Sequence, residues 1–146
     1  MKYYTLEPEV AGGFGPNSIL EDPSARPPRI SHFNYEFHGW LGDSLLEAIA
    51  CFIVTESLKD KNAASQSSGV SFGTVVVSKS GEFEDLHPGR QLPNFVLLQV
   101  TGKAGENDFG LSAKHCLVVS ERVLDVLRHS GMSHCAIAEF NVGSSA

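Results

Sequence analysis

The ten residues at 51–60, CFIVTESLKD, return sixty-five positions later at 116–125 as CLVVSERVLD, without a gap. Cys, Val, Glu and Asp are identical in the two copies, and Phe/Leu, Ile/Val, Thr/Ser and Leu/Val are conservative exchanges. Each copy reads as a short apolar strand followed by a hydroxyl residue and a glutamate. That is the pattern of a buried strand running straight into a capped helix. The Thr or Ser oxygen accepts a free backbone N–H of the first turn, and the acid meets the positive end of the helix. A chain carrying this unit twice is expected to consist of two related halves. The period is longer than the roughly 20–50 residues of solenoids and propellers, so two copies of one unit in a single domain are expected. Neither copy holds a catalytic or ligand motif, so the repeat speaks to fold.

The pass along the chain fills in the rest. Residues 2–6 predict a first strand. Residues 8–28 hold Gly12-Gly13, Gly15-Pro16, Asp22-Pro23 and Pro27-Pro28, which predict a long irregular arm. Residues 29–37 alternate, with Ile30, Phe33, Tyr35 and Phe37 as the inward set. Residues 44–50 fit a helix or a strand equally well. After the strand at 51–54, Thr55 caps a polar, weak helix. Further strands are expected at 70–78, 94–101 and 116–119, with loops at 82–93 and 102–110. Ser120 caps the strongest helix, with Val123, Leu124, Val126 and Leu127 on its apolar face and Gly131 as its stop. A closing strand at 136–142 and a frayed tail at 143–146 complete the reading. The class expected is α+β, with a mixed, mostly antiparallel sheet and two principal helices in one domain spanning 1–146.

Composition narrows the setting. At 146 residues and 42% apolar content the chain can bury a core of its own. No apolar run approaches the ~18 residues of a membrane span. The first seven residues lack the apolar segment of a secretory leader. Three cysteines, an odd number with no close spacing, fit a reducing cytoplasm. The net charge of −6 is spread over both halves, and no Lys/Arg cluster marks a nucleic-acid surface. Such an acidic surface steers a basic partner, besides keeping the protein soluble.

Motifs for chemistry are few. The histidines at 32, 38, 87, 115, 129 and 134 form no zinc-protease helix pattern, and no set of four ligands is visible, so no metal or other cofactor is expected. The glycines at 12, 13 and 15 lack the Lys-Ser/Thr of a phosphate loop. Cys51 and Cys116 lie in apolar strands, where a thiol is inert. Two features suit protein contact instead. Glu82, Glu84 and Asp85 surround Phe83 and Leu86, as solvated loop acids, as a docking rim, or, third in order, as paired carboxylates for acid-base work or for holding a cation. Trp40, the only tryptophan, sits in a glycine-flanked bend beside Asp43, as a plug over the core or as an interface anchor.

The segments MKYY at the start, YEF leading to Gly42-Asp43, FIVTE at 52–56, VTGK at 100–103, DFGL at 108–111 and LVVSER at 117–122 occur in an order that resembles the bacterial immunity proteins of polymorphic-toxin and contact-dependent systems, the group called immunity protein eleven. The resemblance runs along nearly the whole chain, and its polar first helix departs from the family's pattern. It implies a non-enzymatic protein that binds and neutralises one cognate toxin in the producing cell. The family supplies no catalytic residues to carry over. The residues expected to meet the partner are Trp40, Asp43, Glu82, Glu84 and Asp85. Two other classes stand beside this one: a small enzyme or ligand-binding domain working from a pocket near the 8–28 arm, and a subunit that forms homo-oligomers through an open sheet edge.

Overall fold

The computed structural model describes residues 2–22, 24 and 29–141, without the side chains of 62–65. In chain order the strands and helices are β1 (Tyr3–Glu7), β2 (Gly12–Phe14), β3 (Ile19–Asp22), β4 (Arg29–His32), β5 (Asn34–Phe37), β6 (Leu45–Ala48), β7 (Cys51–Thr55) and α1 (Glu56–Ser65). They continue with β8 (Val70–Gly73), β9 (Val76–Lys79), α2 (Gly81–Leu86), β10 (Phe95–Val100), β11 (Phe109–Leu111), β12 (Leu117–Ser120), α3 (Glu121–His129) and β13 (Ala136–Phe140). The class is α+β, and most of its strand pairs are antiparallel. Among the described residues no helix is long and apolar enough to cross a membrane.

Two four-stranded sheets repeat one plan. The first has the order β6-β7-β10-β8, the second β11-β12-β1-β13. In each, a hairpin feeds a helix, the helix returns a strand to the far edge, and a strand from elsewhere fills the gap. The registers agree residue by residue. β10 sets Phe95 against Thr55 and Leu98 between Phe52 and Phe72; β1 sets Tyr3 against Ser120 and Leu6 between Leu117 and Ile137. Thr55/Ser120, Phe52/Leu117 and Phe72/Ile137 are all separated by the sixty-five positions of the sequence match. Matching hydrogen bonds tie each helix start to the gap-filling strand: Glu56 N–H donates to Asn94 O at 2.9 Å, and Glu121 N–H to Lys2 O at 3.0 Å. The gap-filling strands are exchanged. β1 precedes the first hairpin yet completes the second sheet, and β10 precedes the second hairpin yet completes the first.

The helix caps also match. Thr55 Oγ1 accepts from Leu58 N–H at 3.2 Å, and Ser120 Oγ from Val123 N–H at 3.3 Å. Leu58 and Val123 then enter one core between the two sheets, with Leu6, Phe52, Val54, Leu98, Leu117 and Val119. The opposite face of the first sheet, through Leu46, Cys51, Ile53 and Phe95, meets a second core roofed by β2-β5-β9 and α2. β7 is therefore buried on both faces, which accounts for its unbroken apolar run.

Several expectations need correction. The 8–28 arm is not irregular throughout: it contributes β2 and β3, while Pro23 and residues 25–28 lie outside the described residues. Gly12 marks close packing, because a Cβ there would lie 1.8 Å from the Glu36 carbonyl oxygen. Residues 29–37 form two strands, and so do residues 70–78. The 82–93 loop begins as α2, capped by Ser80, whose hydroxyl accepts from Phe83 N–H at 3.1 Å. Residues 45–48 are strand. Their hairpin to β7 turns at Ile49 and Ala50, both at positive φ (43° and 61°) without the usual Asn-Gly. The tail expected to fray lies outside the described residues.

Candidate functional site

Phe83 fixes α2. Its ring is fully buried and meets Phe37 edge-on at 6.1 Å, so the one short helix is held rigidly on the second core. Glu82, Glu84 and Asp85 consequently point to solvent, and Leu86 beside them is 61% exposed. The acids lie in a helix whose first turn favours negative charge.

Trp40 joins the same aromatic cluster from the β5–β6 connection. Its ring lies 6.3 Å from Phe37 and 6.0 Å from Phe95, both edge-on. The indole N–H donates to the Asp43 carbonyl at 3.0 Å, which closes the bend. The Arg90 guanidinium lies 4.6 Å from the ring centroid and donates to the Trp40 carbonyl at 2.8 Å. Trp40 is thus a half-buried plug with a cation stacked on it. Lys79 donates to the Arg90 carbonyl at 2.5 Å and sits 5.8 Å from the Phe83 centroid. These two basic residues link the tryptophan bend to α2, and neither was among the residues chosen from sequence.

Asp43 does not share this exposed face. It is 2% exposed and faces inward. Its carboxylate accepts from Ser133 N–H at 3.0 Å and His134 N–H at 2.7 Å, and lies 3.0 Å from His134 Nδ1. The counterpart in the second half is Asp108, which accepts from Ser68 N–H at 2.9 Å. Ser68 and Ser133 are again sixty-five positions apart, as are Asp43 and Asp108. Both acids pin the connection from helix to last strand. The structure therefore brings Trp40, Glu82, Glu84 and Asp85 around one aromatic layer and gives Asp43 an internal task.

Beside Asp43 lies Glu9, 8% exposed, whose carboxylate accepts from Leu41 N–H at 2.7 Å and Asp43 N–H at 3.4 Å. Ligand atoms of Glu9, Asp43 and His134 all lie within 4.8 Å of one another. Residues so far apart in the chain gave no spacing signal. The neighbouring Cys135 thiol is pushed up to about 11 by burial, with Asp43, Glu7 and Glu47 adding to it. Cys51 is likewise pushed up to about 11, by burial and then Glu47. Both remain protonated at neutral pH and are poor nucleophiles. An apolar cleft of about 190 Å³ is lined by Ile30, Cys51, Phe52, Leu97, Leu98 and Leu111 among others, and a wider, open cleft of about 600 Å³ lies at the start of α1 against Pro93 and Asn94. No protein-family model and no curated protein matches the chain.

Proposed function

We propose that this protein is a non-catalytic inhibitor that neutralises one bacterial toxin in the cytoplasm of the cell that makes it, by direct binding. The reading starts from the resemblance to immunity proteins. The observation that carries it further is the acidic face of α2. Three carboxylates and an exposed leucine stand on a helix that the buried Phe83 holds in place before any partner arrives. A preorganised face loses little side-chain and backbone freedom on binding. Its charge speeds encounter with a basic partner such as a nuclease, while the apolar residue beside it adds to retention. Glu82, Glu84 and Asp85 would act in encounter, Leu86 in contact, and Trp40 as the rigid support behind them.

The experiment is calorimetric titration with the inactivated product of the adjacent gene, followed by association kinetics at several salt concentrations. One-to-one binding is expected. The triple variant Glu82→Lys, Glu84→Lys, Asp85→Lys should slow association about tenfold or more and flatten its salt dependence. Unchanged kinetics would remove α2 from the interface. Failure of the pair to bind, together with failure of the protein to protect cells from the active toxin, would overturn the reading.

A further inference from the structure

The repeat of the fold gives each half an inward-facing acid at the same position, the buried Asp43 and the partly buried Asp108, and shows what one of them lacks. Asp108 has a fixed cation: Arg122 Nη2 lies 2.7 Å from its Oδ2, and the Ser120 hydroxyl donates to Oδ1 at 2.7 Å. Sixty-five positions earlier, the residue matching Arg122 is Ser57, which is exposed and uncharged. Asp43 has a second buried carboxylate beside it, Glu9, where its twin has an arginine. Among the described residues neither Glu9 nor Asp43 forms an ion pair with Lys or Arg, and Arg90 directs its guanidinium to the Trp40 carbonyl and ring.

Two carboxylates this buried and this close repel each other unless something positive sits between them. Backbone N–H groups of Leu41, Asp43, Ser133 and His134 offset part of that charge. They leave lone pairs on both carboxylates, since each oxygen carries two. Among the described residues the side chain that completes the set is the His134 imidazole, 43% exposed, with Nδ1 3.0 Å from Asp43 Oδ1. An imidazole nitrogen and two carboxylates within 4.8 Å of one another are the donors of a three-ligand, open-sided metal centre.

The geometry points to Glu9, Asp43 and His134 as a binding site for a divalent cation of the zinc class. The imidazole favours zinc over magnesium or calcium, which prefer all-oxygen shells. Ligands about 2.0–2.2 Å from a tetrahedral ion stand roughly 3.4 Å apart, so a gap at the 4.8 Å limit here would close by about 1.4 Å. His134 is at the surface, which gives the ion an entry path and leaves the fourth position to water or a partner's side chain. The ion would join the segment after β1, the entry to β6 and the approach to β13, and would supply the positive charge that Arg122 supplies in the other half.

The test uses the full chain without a histidine tag, stripped with a chelator and titrated with zinc chloride against a chromophoric zinc indicator. One equivalent of zinc per chain and a raised melting temperature are expected. His134→Ala, at a half-exposed position, should still fold and should weaken zinc binding at least about tenfold; Glu9→Gln should weaken it comparably. His129→Ala, an exposed histidine on α3, should bind as the parent does. Absence of saturable binding would overturn the proposal. So would one-equivalent binding that survives His134→Ala unchanged.

Discussion

Ser120 and Thr55 occupy the same place in the two halves, and they offer a sharp test of the packing described above. Each caps a helix, but Ser120 has a second bond. Ser120→Ala removes the acceptor of Val123 N–H, which costs about 1 kcal/mol as a lost cap. It also removes the 2.7 Å bond donated to Asp108. A hydrogen bond to a charged group contributes roughly 1.5–3 kcal/mol. Asp108 keeps Ser68 and Arg122, so the lower end applies. The expected loss is about 2.5 kcal/mol. Thr55→Val keeps the buried shape, loses only the cap, and should cost about 1 kcal/mol. In urea the two midpoints should separate by on the order of 1 M or less. Acidity supplies a second readout. Burial pushes the Asp108 carboxyl up, but Ser68 N–H, the Ser120 hydroxyl and Arg122 more than offset it, and its pKa lies below the usual 3.8. A lowered folded pKa contributes stability that is present above pH 3.8 and is lost as pH falls through the folded value. The gap between Ser120→Ala and Thr55→Val should therefore narrow below pH 3.8. Equal midpoints at pH 7, or a gap unchanged in acid, would refute the role given to Asp108.

Phe83→Ala should cost about 3–5 kcal/mol by urea denaturation, because it empties a fully buried position under α2; a loss under about 1 kcal/mol would show that α2 is not anchored there. Ile49→Asn combined with Ala50→Gly should raise stability by about 1 kcal/mol, since both residues of the hairpin turn sit at positive φ and Ile49 is largely exposed; a lowered midpoint would argue against the strained turn. Alkali should unfold the protein progressively. Burial raises Cys51 and Cys135 from 9.0 to about 11 and Tyr35 from 10.0 to about 12, so their contribution is full below pH 9 and is lost between pH 9 and 12. Melting temperatures across that range should fall less steeply in Cys51→Ala, Cys135→Ala; identical slopes would exclude the thiols.

What the sequence made legible was the part governed by short-range rules. Thr55-Glu56 and Ser120-Glu121 announced their helices because capping acts over three residues. The alternation of Phe33, Tyr35 and Phe37 showed its inward face because strand periodicity is local. The exchange of β1 and β10 left no such mark, since pairing partners are chosen across the whole chain. Gly12 read as a turn because a glycine needed for close backbone contact has the same letter as one needed for bending. α2 was too short to show a helical period. The hairpin at Ile49-Ala50 was hidden because its residues are ones that avoid such turns. For the candidate site, the acids of α2 and the tryptophan were visible as composition, whereas Arg90, Glu9 and His134 enter only through three-dimensional proximity.

The exchanged strands also govern timing. The first sheet can close once β10, which ends at Val100, has left the ribosome. β1, made before the other strands, has no partner until β12 and β13 emerge more than a hundred residues later. For most of synthesis it is an aromatic segment with both edges unpaired, the condition most prone to mispairing with other chains. A chain truncated before Leu117 would therefore hold a finished first sheet and an idle first strand. A rearranged gene that moved residues 2–9 to follow residue 141 would also set β1 a few residues from β13 instead of more than a hundred, and refolding would be faster if pairing of β1 limits the rate.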